Sequence, residues 1–167
     1  MRVGQALFIA LLLVASSAFA QSLEERMRTA AGAYEHKDFA TAIGLWRPLA
    51  EQGNAEAQTL LGAMYWSGEG VSRDHNEAAK WYRKAADQGY ARAQNDLGFM
   101  YGFGEGTPPR DDVQAYKWIS LAIERYTVKN QERRDQAIKD RATLEARMSQ
   151  TQLADARRQV RDWKPVQ

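Results

Sequence analysis

The sequence predicts an all-α fold, a solenoid of stacked helix hairpins, and three observations carry that expectation. First, Ala57-Gln58, Leu61-Gly62, Met64-Tyr65, Gly68 and Gly70 recur as Ala93-Gln94, Leu97-Gly98, Met100-Tyr101, Gly104 and Gly106, every pair 36 residues apart. A period of roughly 20 to 50 residues means one supersecondary unit copied and stacked. Second, the apolar residues of each copy keep helical spacing: Ala57, Leu61 and Tyr65 form one stripe, and Ala78, Trp81 and Ala85 another. Third, Gln52-Gly53 and Gln88-Gly89, again 36 residues apart, punctuate the helices where a glycine cap is needed. A stack of this kind favours surface recognition over chemistry in a pocket.

The first twenty residues stand apart from the fold. Arg2 gives a positive start, Ala6 to Ala15 is an almost unbroken apolar run, and Ala18-Phe19-Ala20 offers the small residues that a signal peptidase reads. The expectation is a secretory signal at residues 1–20, cut after Ala20, since the run is well short of the ~20 apolar residues that span a bilayer. With no cysteine in the chain, a lipoprotein anchor is excluded, and the mature part of 147 residues is expected to be soluble, with no membrane span. Its size suits one domain with a continuous core. The signal carries one charge, Arg2, so the net charge falls from +2 to +1, too balanced to argue for nucleic acid. The absence of cysteine also removes thiolate metal sites and thiol nucleophiles, and suits an oxidising compartment.

After the signal, residues 21–56 read as a helical hairpin. Ser22 to Tyr34 is polar with alanines, His36-Lys37-Asp38-Phe39 interrupts it, and Ala42, Leu45, Trp46 and Leu49 resume at helical spacing. Pro48 lies inside this second helix, where it removes a backbone donor and is expected to kink or restart the axis. The first full repeat occupies 57–92. Gly68-Glu69-Gly70-Val71 is its turn, and Asp74 with Glu77 suggests a capping box ahead of its second helix. Gly62 leaves room for a neighbouring helix to approach closely.

The second repeat, 93–127, reuses each device: Ala93, Leu97 and Tyr101 rebuild the first stripe, and Ala115, Trp118 and Ala122 the second. Asp111 and Gln114 stand where Asp74 and Glu77 stood, 37 residues on, because Thr107-Pro108-Pro109-Arg110 carries one extra residue. Beyond it, 128–167 reads as a two-helix cap. Lys129 to Met148 forms a long charged helix with a thin stripe of Ala137, Ile138, Leu144 and Met148, and Ser149 with Gln152 caps a last helix lined by Leu153, Ala156, Val160 and Trp163. Such a helix covers the open end of a solenoid.

The string from Ala55 to Gly89, with Ala57, Leu61, Gly62, Tyr65, Gly68, Gly70, Val71, Asp74, Ala78, Trp81, Tyr82, Ala85 and Ala86 in register, resembles the Sel-one-like repeat family, a branch of the tetratricopeptide superfamily. The second copy departs at Thr107, where the pattern has valine, and at Ile119, where it has tyrosine. The hairpin before Ala55 resembles a tetratricopeptide unit, with Tyr34, Phe39, Ala42 and Trp46 in matching places. The resemblance implies a right-handed α-solenoid, no catalysis and no cofactor, and an adaptor or regulatory protein that holds a protein or peptide partner. Members with a signal peptide imply a periplasmic or secreted location in a Gram-negative bacterium.

Candidate chemistry is sparse. Gly68-Glu69-Gly70 and Gly104-Glu105-Gly106 lack the preceding strand and fingerprint of a phosphate loop and read as interhelical turns. His36 and His75 both lie in turns and do not share a helix face, so no metal site is expected. Asp111-Asp112 is explained by capping and the helix dipole. No familiar nucleophile or zinc signature occurs. Arg133-Arg134 to Arg161 is interleaved with acids, as in Asp135 and Lys139, and reads as a solvated face.

The aromatic residues divide in two. Tyr65, Trp81, Tyr101 and Trp118 recur with the repeat and read as core, whereas Trp66, Phe99 and Phe103 align with Gly102, Ala63 and Ser67 and are not dictated by it. By the resemblance, the first helix of each pair lines the concave face, which places Thr59, Leu60, Ala63 and Trp66 beside Asn95, Asp96, Phe99 and Phe103 toward a partner. Asn95 is suited to holding an extended backbone. Three alternatives stay open: these residues pack on the first hairpin or the terminal helices; the protein is a periplasmic enzyme or carbohydrate-binding protein that acts at the cell wall; or it is a purely structural, self-associating module.

Overall fold

Asp38, Asn54, Asp74, Asp111 and Ser149 each place a side-chain oxygen on the first-turn amides of a helix, and these five caps set where the chain turns. The computed structural model describes residues 22–104 and 110–166, apart from the side chain of Phe103; the signal segment and the Thr107-Pro108-Pro109 loop lie outside them. Helix α1 includes residues 22–35. It is followed by α2 (Phe39–Glu51), α3 (Ala55–Ser67), α4 (His75–Asp87), α5 (Ala91–Phe103), α6 (Asp112–Arg125), a 3-10 turn (Val128–Asn130), α7 (Gln131–Glu145) and α8 (Gln150–Asp162). No strand occurs among the described residues. Nor, among them, is any helix long and apolar enough to cross a membrane.

Each helix packs on the next from α2 to α7, and α8 then lies along α6. One tryptophan sits in the second helix of each hairpin: Trp46, Trp81 and Trp118 are all buried, with alanines around them that let the helices approach. Two glycines set the closest approaches. A Cβ on Gly62 would meet the Tyr82 ring at 2.7 Å, and one on Gly98 would meet Ile119 Cγ1 at the same 2.7 Å. The change from tyrosine to isoleucine between the copies therefore falls on the residue that fills the glycine notch.

Polar ties repeat as well. Gln58 Nε2 donates to the Ala50 carbonyl (2.9 Å) and Gln94 Nε2 to the Ala86 carbonyl (3.1 Å), so each repeat's buried glutamine satisfies the last turn of the preceding helix. Arg47 donates to the Tyr65 hydroxyl, and Arg83, 36 residues on, donates to that of Tyr101.

Three local expectations are corrected. Pro48 does not restart α2, which runs unbroken to Glu51, its neighbours Leu49 and Ala50 being buried in the core and holding the last turn in place. Asp74 caps α4 by accepting from Asn76 and Glu77 amides, but the reciprocal bond of a capping box is absent: the Asp74 amide donates to the Tyr65 carbonyl (2.9 Å), and the Glu77 carboxylate takes Lys80 instead. Only Ser149 and Gln152, among the described residues, complete the box in both directions. Asp135 accepts from Gln131 (2.8 Å) rather than pairing with Lys139.

Asp112 does more than complement a dipole. Its carboxylate takes Arg110 (3.0 Å) and both Nε and Nη2 of Arg147 (2.9 and 2.6 Å), tying the start of α6 to the chain just past α7. Burial alone would raise the Asp112 pKa, but the two guanidinium groups overcome it and hold the carboxyl below its ordinary value.

Candidate partner groove

The first turns of the groove are set by α5, which carries Arg92, Asn95, Asp96 and Phe99 on the face turned toward α3. Their spacing of three and four residues keeps them on one side of the helix. Trp66, in the last turn of α3, closes the far end, and Tyr82 of α4 forms the floor. Together with Met100 they enclose a cleft of about 310 Å³.

Aromatic faces dominate one end. Trp66 stacks on His75 (centroids 4.4 Å apart, 19° between planes) and meets Phe99 edge to face at 6.1 Å. Phe99 is 43% exposed, the most exposed aromatic side chain of the described residues and one whose Ala63 counterpart shows that the fold does not require it.

The other end is polar. Among the described residues Asn95 Oδ1 and Arg92 Nε are enclosed and have no hydrogen-bond partner, and a buried polar group left so costs about 1–3 kcal/mol. Asp96 Oδ2 lies 3.8 Å from Arg92 Nε, a contact too long for a hydrogen bond. Desolvation pushes the Asp96 carboxyl up from 3.8 to about 6, against the pull of Arg92 and Arg133.

That shift carries a stability consequence. Folding raises this acid above its unfolded pKa, so the ionised form is the destabilising one: the penalty is absent below about pH 4, grows between pH 4 and 6, and is complete above that. Because 26% of the side chain still meets water, we expect the penalty to be about 1 kcal/mol and not the full value of a rise from 3.8 to about 6. Asp96→Asn should raise the melting temperature by about 2–4 °C at pH 8 and leave it unchanged at pH 4, read by calorimetry at both. A gain of equal size at pH 4 would rule out ionisation as the cause.

The eight expected contact residues are not all brought together. Trp66, Asn95, Asp96 and Phe99 line the cleft. Thr59 does not face outward: it is buried, and its hydroxyl donates to the Ala55 carbonyl of its own helix (2.7 Å). Leu60 packs on the first hairpin's core, and Ala63 on the core between the repeats. For Leu60 the alternative of packing on the first hairpin is the one observed. The Phe103 side chain lies outside the described residues.

Arg92, Tyr82 and His75 were missed. Arg92 stands where the first copy has Glu56, a charge reversal between equivalent positions that marks it as plainly as the aromatics are marked. No group of three or more His, Asp or Glu side chains positioned to hold a metal occurs among the described residues.

Comparison with known proteins follows the same architecture. The Sel1 repeat pattern matches residues 55–90 and 91–126, frames that begin at the first residues of α3 and α5. A protective antigen present in uropathogenic Escherichia coli strains, which displays an SLR fold, superposes with a TM-score of 0.73 at 30% identity over 88% of this chain. A Sel1 repeat protein from Oxalobacter formigenes gives 0.57 at 34% identity over 65% of the chain. The chain spans 31% of the first structure and 43% of the second. A search of curated protein sequences found no match. Two matched repeats, the paired helices they form and the solenoid shared with these structures make this chain a member of the Sel1 repeat family, in the tetratricopeptide-like superfamily.

Proposed function

We propose that the protein is an exported interaction module that holds an extended segment of a partner protein in the groove between α3 and α5. One observation carries this reading: Trp66 and the 43% exposed Phe99 wall a cleft of about 310 Å³ whose other side is polar, with Asn95 and Asp96, so a bound segment would cover the rings with a side chain and meet polar groups with its backbone. Sel1 repeats in general mediate protein–protein interaction, which sets the class. Export to the periplasm or beyond is supported by the apolar run Ala6 to Ala15 with Ala18-Phe19-Ala20 after it. The groove lining supplies a single carboxylate, Asp96, whereas glycoside hydrolysis works with a pair, so binding is preferred over cell-wall hydrolysis.

The test is retention of envelope proteins on the immobilised protein, quantified by mass spectrometry. Trp66→Ala and Phe99→Ala should each lower retention of the specific partner by about tenfold or more, the size expected of a truncated interface anchor. Asn95→Ala should lower it less. Unchanged retention in both aromatic variants would refute the groove assignment, and release of muropeptides from cell wall would refute the binding class.

A further inference from the structure

A second cavity of about 430 Å³ adjoins the groove, with Arg92 as the shared wall. It opens where the α4–α5 turn meets the α6–α7 junction, and Arg92, Arg125 and Arg133 line it together with Tyr90, Tyr126 and Asn130. No acid belongs to that lining. Arg125 is held in place, donating to the Leu121 carbonyl (3.1 Å) with its guanidinium 4.5 Å from the Trp163 ring centre. Arg133 is exposed on the first turn of α7, where its charge also acts on Asp96. Two further donors there, Arg92 Nε and the Tyr126 hydroxyl, are enclosed and have no acceptor among the described residues. The first turn of α5 adds to them, because Tyr90 replaces the Asn54 of the preceding repeat and gives no side-chain cap.

Cations, buried donors and a helix start without a capping acceptor all ask for one thing, an anion. We propose that this cavity binds a carboxylate of the same partner segment that occupies the Trp66–Phe99 groove, an inference that rests on the groove reading. Asp96 beside Arg92 disfavours a doubly charged phosphate and leaves a singly charged carboxylate as the better fit. Position follows from geometry. Arg92 and Phe99 are seven residues apart on α5, about 10 Å along its axis, and an extended chain covers that distance in about three residues. The segment therefore carries its carboxylate about three positions from the aromatic or large apolar side chain seated on Trp66 and Phe99.

The probes are short peptides added to the ¹⁵N-labelled protein: acetyl-Phe-Ala-Ala-Glu-amide and the reversed acetyl-Glu-Ala-Ala-Phe-amide, each against its glutamine counterpart, with acetyl-Phe-Ala-Ala as free acid and as amide to separate a side-chain carboxylate from a chain terminus. The resonances followed are the Trp66 indole N–H and the Nε–H of Arg92, Arg125 and Arg133. We expect at least one acid probe to shift both sets and to bind about tenfold tighter than its neutral counterpart, the worth of one charge-assisted contact. Arg133→Gln should bring that ratio below about three by weakening the acid probe. Equal affinity of acid and neutral probes at Trp66 overturns the carboxylate site and leaves the groove standing. Arginine shifts with a still Trp66 overturn the single-segment proposal together with the groove reading, as does silence of every followed resonance.

Discussion

Trp118→Ala should destabilise the protein by about 3–5 kcal/mol, the range for removing a large aromatic side chain from a packed core. Trp118 is 1% exposed and lies where three elements meet. Leu97 and Met100 of α5 and Tyr82 and Ala85 of α4 share its cluster, and Trp163, just past α8, meets it edge to face at 6.2 Å. Arg83 and Lys117 close the other ring surfaces, at 4.9 and 4.5 Å from the ring centre. An alanine leaves a void that the rigid helix pair cannot collapse into, and it frees Trp163 from its seat. The loss approaches the whole stability of an ordinary domain. In a stack where each unit touches only its neighbours, α6 to α8 should open before the first hairpin does. Urea titration followed by far-UV circular dichroism checks this: the midpoint should fall sharply and the transition should broaden or split. Trp118→Phe should cost less, since the indole N–H it removes has no acceptor within the described residues. A loss under 1 kcal/mol for the alanine variant would falsify the placement of Trp118 as the hub of this half.

What the sequence made legible is what recurs. Trp81 and Trp118, Gly62 and Gly98, and the caps at Asp74 and Asp111 each appear twice, 36 or 37 residues apart, and a contact that the repeat needs twice leaves two copies of its signature. Pairings made once leave none. The Asp112–Arg147 tie joins residues 35 positions apart with no second instance, and Trp163 reaches Trp118 from outside the repeat altogether. The groove was half legible for the same reason. Trp66 and Phe99 stand out as aromatics against glycine and alanine, while Arg92 against Glu56 was passed over because charges on helix surfaces vary freely. Thr59 misled through geometry: its equivalent Asn95 points into the cleft, but a short hydroxyl can turn back onto its own helix, as it does onto Ala55.

Gly98→Ala is the second large effect, and its sign runs against helix propensity. In an exposed helix interior the exchange would stabilise by about 0.5–1 kcal/mol, because alanine has less backbone freedom to lose. At Gly98 the added Cβ would stand 2.7 Å from Ile119 Cγ1 and 3.1 Å from both the Ala115 carbonyl oxygen and the Ile119 nitrogen. Two of those three neighbours are backbone, so no rotamer change clears them, and α5 must lift away from α6 along its length. We expect a net loss of about 2 kcal/mol, within the 1–3 kcal/mol typical of overpacking. Gly44→Ala supplies the control, since nothing lies within 4 Å of its added Cβ and the helix gain should appear alone as a modest stabilisation. Gly62→Ala falls between the two, because the atoms it meets belong to the Tyr82 ring, a side chain that can tilt. The order of urea midpoints, Gly44→Ala above the parent and Gly98→Ala below Gly62→Ala, measures how tightly each pair of helices is drawn together. A Gly98→Ala protein as stable as its parent would mean that α5 and α6 have slack. In that case the face of α5 carrying Asn95, Asp96 and Phe99 would not be fixed in place by its packing on α6, and the groove would owe its shape to the partner it holds.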